Sequence, residues 1–213
     1  MRAKNKKGFT LLELMISVGI TAIISAAILN IFSIGLSSWQ IGEAKIESQY
    51  QARKAMQEIT QDLRLSNPGH IDVLNDSNTE IQTGIGTKLR FQVPSYDNKI
   101  IHFLGGDVAL AAIRLDNDNN IIWGADNTNG YFIQYQLVTS GTNHQLARVI
   151  LNSSFTQVSR RVLANNILAV GFKGIPSGTS NPRSVEISIT GSNTINTGRS
   201  VSFKLTSLIN ARN

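Results

Sequence analysis

At 213 residues the chain is long enough for one core-bearing domain with an additional element, and too short for two full-sized ones. Only 16% of residues are charged, against about 25% in an ordinary globular protein, and cysteine is absent, which excludes disulfides, Cys-based zinc sites and thiol catalysis. The formal net charge of +6 invites a nucleic-acid reading, but Arg2, Lys4, Lys6 and Lys7 supply four of those charges before Gly8 and leave +2 beyond it.

In chain order, the first predicted element is an apolar helix. Residues 9–36 are apolar apart from small polar residues and one acid, Glu13, and no further charge occurs until Glu43. The stretch exceeds the roughly 18 apolar residues that suggest a membrane span. The four basic residues before it hold the N-terminus in the cytoplasm and send the rest outward, with Trp39 placed for the outer interface. Three readings compete: an ordinary signal anchor, a secretory signal cleaved after the small residues Ser25-Ala26-Ala27, and cleavage at Gly8, which follows a short basic leader and precedes Glu13 by five residues. A lone carboxylate in an apolar helix costs about 2.5–3.5 kcal/mol at mid-membrane. Only the third reading gives that cost a use.

Residues 7–15 (KGFTLLELM) closely resemble the class III signal of type IV pilins and type II secretion pseudopilins. The resemblance implies that a membrane prepilin peptidase cuts between Gly8 and Phe9 and that the new amino group of Phe9 is methylated. The apolar run then stays as anchor and later becomes filament core. Phe9 and Glu13 stand four apart and share a helix face, so the new ammonium can pair with the carboxylate within a subunit or between staggered neighbours. An unpaired charge in low dielectric is penalised, which makes Glu13 and Phe9 the expected assembly residues. Many pilins carry a proline along this helix; here none occurs before Pro68, and Gly19 and Gly35 are its only weak points.

From residue 40 to 66 the pattern stays helical and becomes amphipathic, with Ala52, Met56, Ile59 and Leu63 forming one stripe suited to core packing. Asn67-Pro68-Gly69 is the expected stop. Residues 9–66 would form about 87 Å of helix at about 1.5 Å per residue. Beyond Gly69 the periodicity changes to two. Residues 88–93 (KLRFQV), 131–138 (YFIQYQLV), 184–190 (SVEISIT) and 200–205 (SVSFKL) alternate as half-buried strands. Turns are expected at 105–106, 116–120 and 139–143, and a longer loop at 174–182. The fold class is therefore α+β, a long N-terminal helix packed on an antiparallel sheet, divided into a leader (1–8), a membrane or filament-core helix (9–39), an amphipathic helix (40–66) and an extracytoplasmic β-rich domain (67–213). The β-domain, the absence of cysteine, Gln134-Tyr135 with Leu146-Ala147-Arg148, and the ending at Arg212-Asn213 are similar to PilW-type minor pilins and J-type pseudopilins.

No constellation argues for catalysis, and no cofactor is expected. His70, His102 and His144 lack ligand spacing. Asp116, Asp118 and Asn120 have alternate calcium-loop spacing, but Ile121 replaces the required glycine and Asn127 the final acid, so a solvated hairpin turn is the default. Charge is divided along the chain. Residues 72–126 hold eight acids and four cations, whereas from Arg148 onward eight cations face only Glu186. The plain reading is a polar surface; the sharper one is a basic side, including Arg160 and Arg161, that meets an acidic neighbouring subunit. The function implied is a minor pilin or pseudopilin, a non-enzymatic subunit processed by prepilin peptidase. Its expected partners are other subunits and an inner-membrane assembly platform, and its place is first the membrane and then a surface or periplasmic filament. The alternatives are an adhesive or DNA-binding minor pilin, whose basic face would grip phosphates, and a Sec-secreted β-domain protein.

Overall fold

The structure, a computed structural model, describes residues 10–66, 68–103, 106–125, 128–141, 143–179, 182–195 and 198–211. The chain divides into two compact units, Met1–Glu43 and Ala44–Asn213. Helix α1 (Leu11–Arg64, 54 residues) contributes to both. Its sequence is rich in Leu, Ile and Ala and free of proline, so no residue removes a backbone donor before Pro68. The helix closes two residues before the expected end: Leu65 and Ser66 donate N–H bonds to Asp62 and Leu63 carbonyls, and a 3-10 turn (Pro68–His70) follows.

In the second unit α1 buries Ala44, Ser48, Ala52, Ala55, Met56, Ile59 and Leu63. The expected stripe of Ala52, Met56, Ile59 and Leu63 is all there, and small residues prolong it toward the N-terminus. Each large apolar side chain so buried contributes about 1.5–3 kcal/mol.

Ten strands follow. β1 (Ile71–Leu74), β2 (Lys88–Phe91), β5 (Phe132–Ser140), β6 (Asn143–Leu151) and β7 (Gln157–Asn165) form an antiparallel sheet in the order β1-β2-β5-β6-β7. β8 (Ile167–Ile175), β9 (Ser184–Thr194) and β10 (Ser200–Asn210) form a second, in the order β10-β9-β8. β3 (Tyr96–Phe103) and β4 (Gly106–Ile113) pair only with each other among the described residues. The single sheet expected from the sequence is thus divided. The chain passes from β7 to β8 through Asn166, whose positive φ of 57° turns the backbone between the two sheets. A two-bond bridge between Gly86 and Phe172 ties the sheets together. Gly86 has no substitute there, because a Cβ would stand 2.7 Å from the Leu74 carbonyl oxygen.

The four expected strands all form, within a few residues of their predicted limits. The 139–143 turn joins β5 to β6, with Gly141 at φ 63°. The 105–106 turn falls at the β3–β4 connection, where Gly105 lies outside the described residues and Gly106 opens β4 opposite Phe103. One core contains the α1 stripe together with side chains from both large sheets, among them Tyr135, Phe91, Phe172 and Ile187. A smaller cluster of Ala147, Val149 and Leu151, with Phe132 and Val138 against it, is a separate group on the five-stranded sheet.

Candidate anchoring and assembly site

The first turn of α1 is built around Glu13. Its Oε2 accepts hydrogen bonds from the Thr10 backbone N–H at 3.0 Å and the Thr10 hydroxyl at 3.1 Å, while the Glu13 N–H donates to Thr10 Oγ1 at 3.3 Å. This reciprocal arrangement is a capping box, which satisfies backbone donors that a helix start leaves open. The carboxylate also lies at the positive end of the helix dipole. Charge pairing alone directs attention to Phe9; the signal for Thr10 was the Thr-x-x-Glu spacing. Gly8 and Phe9 lie outside the described residues.

After Glu13 the helix carries an apolar surface that stays exposed, including Leu14, Ile20, Leu29 and Phe32. α1 is long and apolar enough to cross a membrane. Two of its small polar residues satisfy their hydroxyls within the helix: Ser17 bonds to the Glu13 carbonyl and Thr21 to the Ser17 carbonyl, both at 2.8 Å.

Arg148, Arg160, Arg161 and Lys173 do not share one face. Arg148 Nε bonds Asp62 Oδ2 at 2.8 Å, and Arg161 Nη2 bonds Glu58 Oε2 at 2.7 Å, so both reach acids of α1. Arg160 and Arg161 are adjacent in an extended strand and therefore point to opposite sides of the sheet. Arg161 faces the helix and Arg160 is exposed on the other side, aligned across the strands with Val149, Gln134, Arg90 and Asp72. Lys173 is in the second sheet, directly opposite Glu186. The residues between Lys54 and Leu63 thus supply an acidic edge that two of the eight cations already use.

Asp62 is the centre of that contact. Its Oδ2 also accepts the Tyr135 hydroxyl at 2.6 Å, and Tyr135 stands directly across the β5–β6 pair from Arg148. Tyr135 is fully buried, and its phenol is pushed far above the ordinary 10.0, chiefly by burial and secondarily by the Asp62 charge and hydrogen bond. Further along the helix, Gln51 Oε1 accepts the Asn165 backbone N–H at 3.1 Å.

The 116–120 segment is a turn. The Asp116 carboxylate accepts N–H bonds from Asp118 at 2.9 Å and Asn120 at 2.8 Å, and the Asn120 bond above all holds its pKa below the usual range. That carboxylate is occupied by its own turn, and among the described residues no group of three His, Cys, Asp or Glu could hold a metal ion. His144 Nδ1 pairs with Thr139 Oγ1 across a hairpin at 3.2 Å. His102 opposes Asp107 in the β3–β4 pair, and His70 ends the 3-10 turn.

Residues 3–29 match the family model of the prokaryotic N-terminal methylation motif. No curated protein and no solved structure matches the chain. The matched segment contains the basic leader, Gly8, Phe9, Glu13 and most of the apolar run. The chain carries a type IV pilin-like prepilin signal, and that signal with the apolar helix supports membrane anchoring.

Proposed function

We propose that this protein is a minor pilin or pseudopilin, a structural subunit of a type IV pilus or type II secretion filament. The observation that carries the reading is the methylation motif at residues 3–29 leading into a 54-residue helix whose first part is apolar and exposed. In this reading residues 1–8 are the leader, 9–39 the membrane and filament-core segment, 40–66 the amphipathic continuation and 67–213 the extracytoplasmic domain. Prepilin peptidase cuts between Gly8 and Phe9, Phe9 is methylated, and the β-domain faces away from the cytoplasm. Thr10 holds Glu13 in the subunit before assembly; in the filament the Phe9 ammonium of a neighbour completes its pairing. The dispersal of Arg148, Arg160, Arg161 and Lys173 supports a structural role over a DNA-gripping one.

Mass spectrometry of the membrane-extracted protein tests this directly. A mature chain beginning at Phe9 and carrying one methyl group is expected. A start near Ile28 would establish signal peptidase cleavage and refute the assignment.

A further inference from the structure

The side of the five-stranded sheet opposite α1 carries a hollow of about 460 Å3 between the β6–β7 loop and the start of β2. That volume falls in the about 300–1,000 Å3 range of small-molecule sites. Side-chain amides dominate its walls: Gln134 and Gln136 of β5, Gln157 of β7 and Asn78 of the β1–β2 connection. Val149 and Leu151 give it an apolar floor. Phe155 stands at its rim.

Phe155 is held there at some conformational expense. It has φ 58°, a left-handed backbone that bulky side chains seldom adopt. Asn152 fixes the loop: its Oδ1 accepts N–H bonds from Ser154 and Thr156, and its carbonyl accepts the Phe155 N–H. The Arg90 guanidinium lies 4.1 Å from the ring centroid, and Phe132 packs beside it at 5.2 Å. The residue nonetheless remains 51% exposed. A fixed aromatic with an open side, beside a bank of amides, is available to an outside molecule.

The cations of the hollow are engaged. Arg90 donates two hydrogen bonds to Asp72 Oδ2, and Lys88 Nζ bonds the Asp76 carbonyl and Asn78 Oδ1. Gln134 Nε2 donates to Gln136 Oε1 at 2.7 Å, which orients both amides. The surface therefore offers paired donors and acceptors, with the Arg90 charge compensated by Asp72 and Lys88 held by neutral oxygens. That chemistry suits hydroxyl groups and acetamides, while the C–H face of a pyranose ring suits an aromatic side chain.

We infer that this hollow binds a neutral hexose or N-acetylhexosamine unit of a glycan, with the sugar ring against Phe155 and its hydroxyls on Gln134, Gln136 and Gln157. This goes beyond the filament reading and does not depend on it. The test uses the full chain in lipid nanodiscs, with no glycoside detergent present. Saturation-transfer NMR and titration are run with cellotetraose, chitotetraose and maltotetraose, and in parallel with an oligogalacturonate and a single-stranded oligothymidylate. Phe155→Asn removes the ring and keeps a residue that tolerates left-handed backbone, and Gln136→Ala removes one amide; circular dichroism confirms that each variant is folded. At least one neutral tetrasaccharide is expected to bind saturably, with affinity falling at least about tenfold in both folded variants, the loss of about 1.4 kcal/mol. Absence of saturable binding by all three, or binding unchanged in folded Phe155→Asn, overturns the inference. Preferential binding of oligogalacturonate or oligothymidylate that is lost in the same variants also overturns it.

Discussion

Substituting Tyr135→Phe removes one hydroxyl and nothing else from the core. In the folded protein that hydroxyl donates at 2.6 Å to Asp62, which Arg148 also holds at 2.8 Å. A hydrogen bond to a charged acceptor is worth about 1.5–3 kcal/mol net. Asp62 retains about a fifth of its side-chain exposure, so water can take the vacated lone pair, and the low end of that range, about 1.5 kcal/mol, is expected. Asp62→Ala removes both contacts and strands a fully buried phenol; about 3 kcal/mol is expected, and Tyr135→Phe in that background should cost under about 0.5 kcal/mol. Urea unfolding of the full chain in nanodiscs, followed by near-ultraviolet circular dichroism, gives these values.

The same group sets an alkaline limit. Because the folded phenol titrates above its unfolded value of 10.0, its contribution is fully present below pH 10.0 and is lost as pH rises from there through the folded value. Tyr135→Phe should leave the ionisation absorbance of the folded protein between about pH 9 and 11 unchanged, and should flatten the loss of stability above pH 10.0. A wild-type stability for Tyr135→Phe, or a fall in that absorbance change, would refute the reasoning.

The remaining predictions concern packing, charge and assembly. A Cβ at residue 191 would stand 2.7 Å from the Ser48 carbonyl, so Gly191→Ala should lose about 1–3 kcal/mol by overpacking, whereas Ser48→Ala, which removes a buried hydroxyl with no partner among the described residues, should match or exceed wild-type stability in the same urea assay. Glu13→Val should insert and accumulate normally, since it removes a charge the membrane disfavours, yet enter filaments poorly; wild-type incorporation by quantitative immunoblot of sheared filaments would exclude charge matching. Thr10→Val should reduce incorporation less, because the Phe9 ammonium remains, and Thr10→Ser should restore it. Arg161→Glu sets like charges against Glu58 and should cost under about 1 kcal/mol at this exposed pair, whereas Arg160→Glu should leave folding stability unchanged; an equal loss in both would contradict their opposite facing.

What the sequence disclosed, and what it hid, follows from how each segment is covered. The α1 stripe was legible because only one side of the helix meets the core. β9 alternates in burial from Ser184 through Gly191, as its sequence does. β6 does not, because Ala147, Val149 and Leu151 are buried away from the main core and erase its period. β8 loses its period to the irregular register between Ile167 and Ala169. β7 is exposed over its first six residues and reads as polar chain. At the anchoring site, the pairing of Glu13 with Thr10 was written in the Thr-x-x-Glu spacing. The partners of Arg148 and Arg161 were not, since they lie 86 and 103 residues away in the chain.

The contacts that α1 makes through Gln51, Glu58 and Asp62 have a mechanical consequence. They follow one another along the helix axis and meet Asn165, Arg161 and Arg148 in turn. A pull along α1 is therefore resisted at three successive points of its overlap with the sheet. Beside them, Gly191 lies so close to Ser48 that a Cβ there would stand 2.7 Å from its carbonyl oxygen and 2.8 Å from its hydroxyl, a close fit that resists sliding. The helix is thereby fastened to its sheets as a spliced cable is, with holding strength set by the length of the overlap.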